Sequence, residues 1–115
     1  MCHVLIIEDE ALVAMELQLL LEDVGATSFA FADDEEGAIA AAMICRPDLI
    51  TSDVKLSHGT GPSAISTIQS RLGNIPVIFI TGTPSECHPC QPPGIVLEKP
   101  VSAHAIKEAF TRLRA

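Results

Sequence analysis

Five short apolar runs divide this chain, and the segments between them repeat with the period of a helix, not of a strand. The runs are residues 4–7 (Val-Leu-Ile-Ile), a weaker one at 27–32, then 49–52 (Leu-Ile-Thr-Ser), 77–80 (Val-Ile-Phe-Ile) and 95–97 (Ile-Val-Leu). Runs this short and this little interrupted suit strands covered on both faces, as in a parallel sheet. Residues 11–24 predict a helix, with Val13, Leu17, Leu20, Leu21 and Val24 on one face and Gly25 as its stop. Residues 34–45 predict a second, acidic at its start through Asp33, Asp34, Glu35 and Glu36 and ended by Arg46-Pro47. A third runs from Pro62 through Ile65, Ile68 and Leu72 to Gly73. The last covers 102–114, capped by Ser102, with Ile106, Ala109, Phe110 and Leu113 on one face. Between the fourth and fifth runs, residues 83–94 hold four prolines and almost nothing apolar, so the helix expected there is short, irregular or missing. The alternation predicts an α/β fold: an open, doubly wound, five-stranded parallel sheet with helices on both faces.

Such sheets bind ligands at the carboxyl ends of their strands. The first run is followed by Glu8, Asp9 and Glu10; the third by Asp53; the fourth by Thr81-Gly82; the fifth by Glu98-Lys99-Pro100. Carboxylates brought together from separate strands repel, and a hard divalent cation relieves that repulsion. Oxygen-only ligands favour Mg²⁺ over Zn²⁺. An Asp beside such a metal, with a Lys and a Thr to hold phosphoryl oxygens, is equipped for in-line phosphoryl transfer onto a carboxylate.

The composition narrows the function further. The length of 115 residues fits one domain, residues 1–115, and 48% hydrophobic residues is enough for a core. Seven Lys and Arg against 15 Asp and Glu, a formal charge of -8, argue against nucleic acid and against anionic membranes. No apolar run is long enough to cross a bilayer, and the N-terminus lacks the basic region of a signal peptide, so the expected location is the cytoplasm. Cys2, Cys45, Cys87 and Cys90 are then expected as free thiols, Cys2 and Cys45 as small buried hydrophobes and the other two on a surface loop. Cys87-His88-Pro89-Cys90 lacks the further ligands of a zinc site. His3, His58 and His104 are isolated, and the acidic start of the second helix reads as a solvated helix end.

Four stretches together resemble the receiver domain of bacterial two-component response regulators. They are Val4-Leu5-Ile6-Ile7-Glu8-Asp9-Glu10, Pro47-Asp48-Leu49-Ile50-Thr51-Ser52-Asp53, Pro76-Val77-Ile78-Phe79-Ile80-Thr81-Gly82 and Glu98-Lys99-Pro100. The resemblance implies a flavodoxin-like strand order, 2-1-3-4-5. It implies that Asp53 accepts phosphate from a sensor histidine kinase or phosphotransfer protein. It also implies Mg²⁺ held directly by Asp9 and through water by Glu8, with Asp53 and the Lys55 backbone carbonyl as further ligands, phosphoryl contacts at Thr81, Gly82 and Lys99, and a cis Lys99-Pro100 bond. A downstream protein partner would read the phosphorylated state. By the same resemblance the chain is an autocatalytic phosphoacceptor and not a turnover enzyme; taken as full length it would be a stand-alone receiver.

Several positions depart from the family pattern. Val96 stands where Tyr or Phe is common, three residues before the Lys. Asp53-Val54-Lys55-Leu56-Ser57-His58-Gly59 replaces the usual Leu-Pro-Gly turn, and Ile80 and Thr83 break the Phe-Ala-Thr-Gly subgroup motif that Phe79 and Thr81-Gly82 partly match. The whole is loosely similar to receivers of bacterial general-stress signalling. Two rival readings follow: a module of the same fold that docks whatever its phosphorylation state, prompted by Val96 and the broken fourth helix, and an aspartyl-phosphate phosphatase. The second is disfavoured because Lys55 occupies the position where such enzymes place a second Asp.

Overall fold

A computed structural model describes residues 2–82 and 94–114. In chain order the elements are β1 (His3–Ile7), α1 (Ala11–Asp23), β2 (Ser28–Ala32), α2 (Glu35–Ile44), β3 (Leu49–Ser52), α3 (Gly61–Leu72), β4 (Val77–Thr81), β5 (Gly94–Glu98) and α4 (Ala103–Arg114). Every strand pairing is parallel, and the sheet order is β2-β1-β3-β4-β5, as the resemblance implies. The irregular helix expected within 83–94 falls almost wholly outside the described residues, as do Cys87, His88, Pro89 and Cys90.

The central strands β1, β3 and β4 are buried on both faces, which is why their sequences show no polar alternation. Alternate residues feed two cores. Leu5, Ile7, Ile50, Val77 and Phe79 face α2 and α3, packing with Ala38, Ala42, Ile65 and Ile68. Val4, Ile6, Leu49, Ile78 and Ile80 face α1 and α4, packing with Leu17, Leu21, Ile106 and Phe110. The apolar faces expected for the first and last helices are therefore the ones buried.

Helix starts follow their caps. Asp34 precedes α2 and accepts from Gly37 N–H at 2.7 Å. Thr60 precedes α3 and accepts from Ser63 N–H at 3.2 Å, and Ser102 accepts from Ala105 N–H at 3.0 Å ahead of α4. One cysteine expectation is corrected: Cys2 is buried, but Cys45 is exposed at the C-cap of α2, one residue beyond the helix and its inward face.

Candidate phosphoacceptor site

The register brings the strand ends level. Val4 to Ile7 pair with Leu49 to Ser52, and Asp53 N–H continues the ladder by donating to Ile7 C=O at 2.9 Å. Asp53 therefore leaves β3 beside Glu8 as it leaves β1. On the other side Thr81 pairs with Glu98, and Lys99 N–H donates to Thr81 C=O at 2.9 Å. Thr81 is buried at the end of β4, Gly82 is exposed just beyond it, and the Lys99-Pro100 peptide is cis.

Lys99 joins the two halves. Its ammonium lies 3.0 Å from Glu8 Oε1, 3.1 Å from Asp53 Oδ2 and 3.8 Å from Glu10 Oε1. Asp53 Oδ1 accepts from Val54 N–H at 2.7 Å, so both carboxylate oxygens are held. Glu8 Oε2 accepts from Glu10 N–H at 3.2 Å, an Asx-like turn that folds the acidic triplet back on itself. The Glu8 side chain is only 1% exposed. Burial, joined by the nearby Asp53 charge, pushes its carboxyl up to about 7, against the lowering effect of the Lys99 hydrogen bond. Burial draws the Lys99 ammonium down, but its hydrogen bonds to Glu8 and Asp53 and their charges outweigh this and leave it above its ordinary value.

Ligand oxygens of Glu8, Asp9 and Glu10 all lie within 4.8 Å of one another. This donor set fits a hard divalent cation: it is oxygen-only, it already draws the Lys99 ammonium, and it holds a buried carboxyl whose ionisation is costly without a counter-charge. Of the nominated residues, Glu8, Asp53 and Lys99 meet directly, and Asp9 lies with Glu8. Lys55 is exposed in a narrow hairpin after Asp53, bridged to Thr60. Glu10 is the residue that motif reading left out of the site. Its sequence signal was its place in the acidic triplet, and only the turn at Glu8 shows that it bends toward Lys99.

α3 starts unusually close to Asp53. A Cβ at Gly61 would collide with the Asp53 carbonyl and Ser52 Oγ, so only glycine lets the helix begin there.

A parallel α/β sheet with an acidic cluster, an aspartate and a lysine converging at one edge defines a class of signalling receivers. The chain belongs to the response regulator receiver domain family, whose family model matches residues 4–111. Receiver domains act in two-component signalling, and the family generally binds Mg²⁺. The phyllosphere-induced regulator PhyR of Methylorubrum extorquens is 39% identical over 84 residues, 71% of this chain and 31% of PhyR. The transcriptional regulatory protein PdtaR of Mycobacterium tuberculosis is 37% identical over 79 residues, 69% of this chain and 38% of PdtaR. The match thus spans about a third of these curated relatives. Among solved structures, the receiver domain of PhyR from Erythrobacter litoralis superposes with a TM-score of 0.88 at 27% identity, covering 98% of this chain and 89% of that one. Among the described residues, no helix is long and apolar enough to cross a membrane.

Proposed function

We propose that this chain is a phosphoacceptor: Asp53 takes a phosphoryl group from a sensor histidine kinase or phosphotransfer protein in a Mg²⁺-dependent step. The observation that carries this reading is the Lys99 ammonium bridging Glu8 and Asp53 at 3.0 and 3.1 Å. Those contacts put a fixed positive charge against the oxygen that would attack.

Glu8, Asp9 and Asp53, with the Lys55 carbonyl, would hold the metal. When bound, Mg²⁺ supplies Lewis-acid stabilisation of charge on the transferring group. The chain's own part is orientation. Val54 N–H fixes one Asp53 oxygen, leaving the carboxylate plane set before substrate arrives. An Asp53 oxygen attacks phosphorus, the phosphorus–nitrogen bond of the donor phosphohistidine breaks, and the electron pair stays on the imidazole, which takes a proton from solvent. Lys99 then pairs with the phosphoryl oxygens, and Thr81 and the Gly82 amide bond the others. Position 55 carries a lysine where aspartyl-phosphate phosphatases place a second Asp, which favours phosphoryl acceptance over turnover. The partners are proteins: a kinase upstream and a regulated protein downstream, in the cytoplasm. A groove of about 550 Å³ beside Glu8 and Asp9 exposes Met15 and Phe31 and offers the incoming donor an apolar footing.

Incubation with a small phosphodonor and Mg²⁺, followed by intact-mass spectrometry, tests this. The expected gain is one phosphoryl group, lost in Asp53→Ala and without Mg²⁺; no gain in the wild type refutes it. A second reading, docking independent of phosphorylation, is favoured by Val96, which lies exposed on β5 with no ring to rotate. Equal partner affinity with and without a phosphoryl mimic would support it.

A further inference from the structure

A second acidic group sits at this end of the sheet, and it is tied to the segment that follows Asp53. Glu35 Oε1 accepts from Thr60 N–H at 3.1 Å, and Oε2 accepts from Ser63 Oγ at 2.8 Å. Glu35 N–H donates to His58 C=O at 3.1 Å, and Ser57 Oγ donates to Asp33 C=O at 3.1 Å. Glu35 is not needed to cap its own helix, because Asp34 does that through Gly37 N–H. Its carboxylate instead faces the N-terminus of α3, where a negative charge is favoured. The acidic start of α2 is therefore not simply a solvated helix end.

What Glu35 grips is a hairpin that begins at the acceptor. Lys55 and Thr60 face each other as an antiparallel bridge, flanked by Gly61 N–H to Val54 C=O at 2.9 Å and Leu56 N–H to Gly59 C=O at 3.4 Å. Because the cross-bonds fall on the flanking pairs, the peptide groups of Lys55 and Thr60 point away from the hairpin. On one side Thr60 N–H meets Glu35. At the tip, Gly59 has a φ of 81°, and a Cβ there would strike the Glu35 side chain.

We propose that Glu35 is a positioning residue for the phosphoacceptor site: from α2 it fixes the hairpin that follows Asp53 and thereby holds the Lys55 carbonyl ready for the metal. This rests on the phosphoacceptor reading. The carboxylate acts through Thr60 and touches no reacting atom.

The test uses the whole chain, with Glu35→Ala, Glu35→Gln and Gly59→Ala beside the wild type. Amide hydrogen exchange is measured without metal, and Mg²⁺ is titrated by the amide shifts of Asp9 and Asp53. In Glu35→Ala, exchange at Leu56 and Thr60 accelerates while β1 and β3 amides keep their protection, and the Mg²⁺ dissociation constant rises about tenfold, as for loss of a group supporting a metal ligand. Glu35→Gln recovers part of the affinity, since its side-chain oxygen still accepts from Thr60 N–H. Gly59→Ala, which attacks the same contact from the hairpin side, weakens Mg²⁺ binding as well and serves if Glu35→Ala does not fold. A Mg²⁺ constant in Glu35→Ala within about twofold of wild type overturns the proposal, as does unchanged exchange at Thr60. The two readings fail separately: a wild type that is phosphorylated on Asp53 beside an unaffected Glu35→Ala removes only this inference, whereas a wild type that binds no Mg²⁺ and takes no phosphoryl group removes both.

Discussion

Replacing Lys99 by Ala strips the counter-charge from the site and should cost stability in a pH-dependent way. In the folded chain the ammonium is shared between Glu8 and Asp53, whose side chains are 1% and 12% exposed, while its own is 20% exposed. Breaking a buried ion pair by removing one partner costs about 3–5 kcal/mol. Partial solvent screening and the relief of burying the ammonium reduce that to about 2 kcal/mol. The loss requires Glu8 to be ionised. Its carboxyl already sits at about 7 with Lys99 in place, and removing the lysine raises it further. At a pH well below 7 the variant keeps a proton on Glu8, two facing anions become one, and most of the penalty disappears. The Lys99 ammonium, raised above its usual 10.5, stays charged throughout this range and adds no slope of its own. Urea unfolding must be followed by far-UV circular dichroism, since the chain has no Trp or Tyr. Near pH 8 the variant should be about 2 kcal/mol less stable than wild type, and near pH 5.5 less than about 1 kcal/mol. An equal loss at both pH values, or a larger one at the lower, would refute the charge argument.

Four further outcomes follow from the structure. In metal-free wild type, a Glu8 carboxyl moved from 4.5 to about 7 binds more protons folded than unfolded, so stability falls as pH rises across that interval, by on the order of 3 kcal/mol. Added Mg²⁺ should raise the thermal midpoint most above pH 7, where Glu8 is free to ligate; a pH-independent shift would contradict its part in binding. Thr51, fully buried between Ile6 and Ile78, has a hydroxyl with no hydrogen-bond partner among the described residues, so Thr51→Val should stabilise by about 1 kcal/mol in urea unfolding. Gly61→Ala drives a methyl into the Asp53 carbonyl, and should destabilise the fold by over about 1 kcal/mol and slow phosphorylation together; a neutral result would mean that α3 moves aside without cost.

The central strands were readable because burial on both faces leaves an uninterrupted apolar run, and the apolar runs placed the carboxyl end of every strand to within one residue. Once the ends were known, the rule for parallel sheets sufficed to nominate Glu8, Asp53, Thr81 and Lys99. Contacts that depend on how a loop folds against a helix were not readable. Glu35 and Glu36 look alike in sequence, yet the approach of the 55–60 hairpin gives Glu35 three hydrogen bonds with it and with α3, two through the carboxylate and one through the backbone. Cys45 was misjudged for a related reason: helical periodicity assigns a face only while the helix lasts, and the chain turns extended at that residue. The orphan hydroxyl of Thr51 was equally hidden, since a threonine within a strand is unremarkable until its neighbours on the sheet are known.

The most direct test of a metal cup at the strand ends is substoichiometric Mn²⁺, a paramagnetic stand-in for Mg²⁺, added while backbone amide signals are recorded. Broadening is predicted to centre on residues 8–10 and 53–55, to extend to Thr81, Gly82 and Lys99, and to be reversed by excess Mg²⁺. Broadening confined to another acidic stretch, such as residues 33–36, or left unchanged by Mg²⁺, would contradict the account.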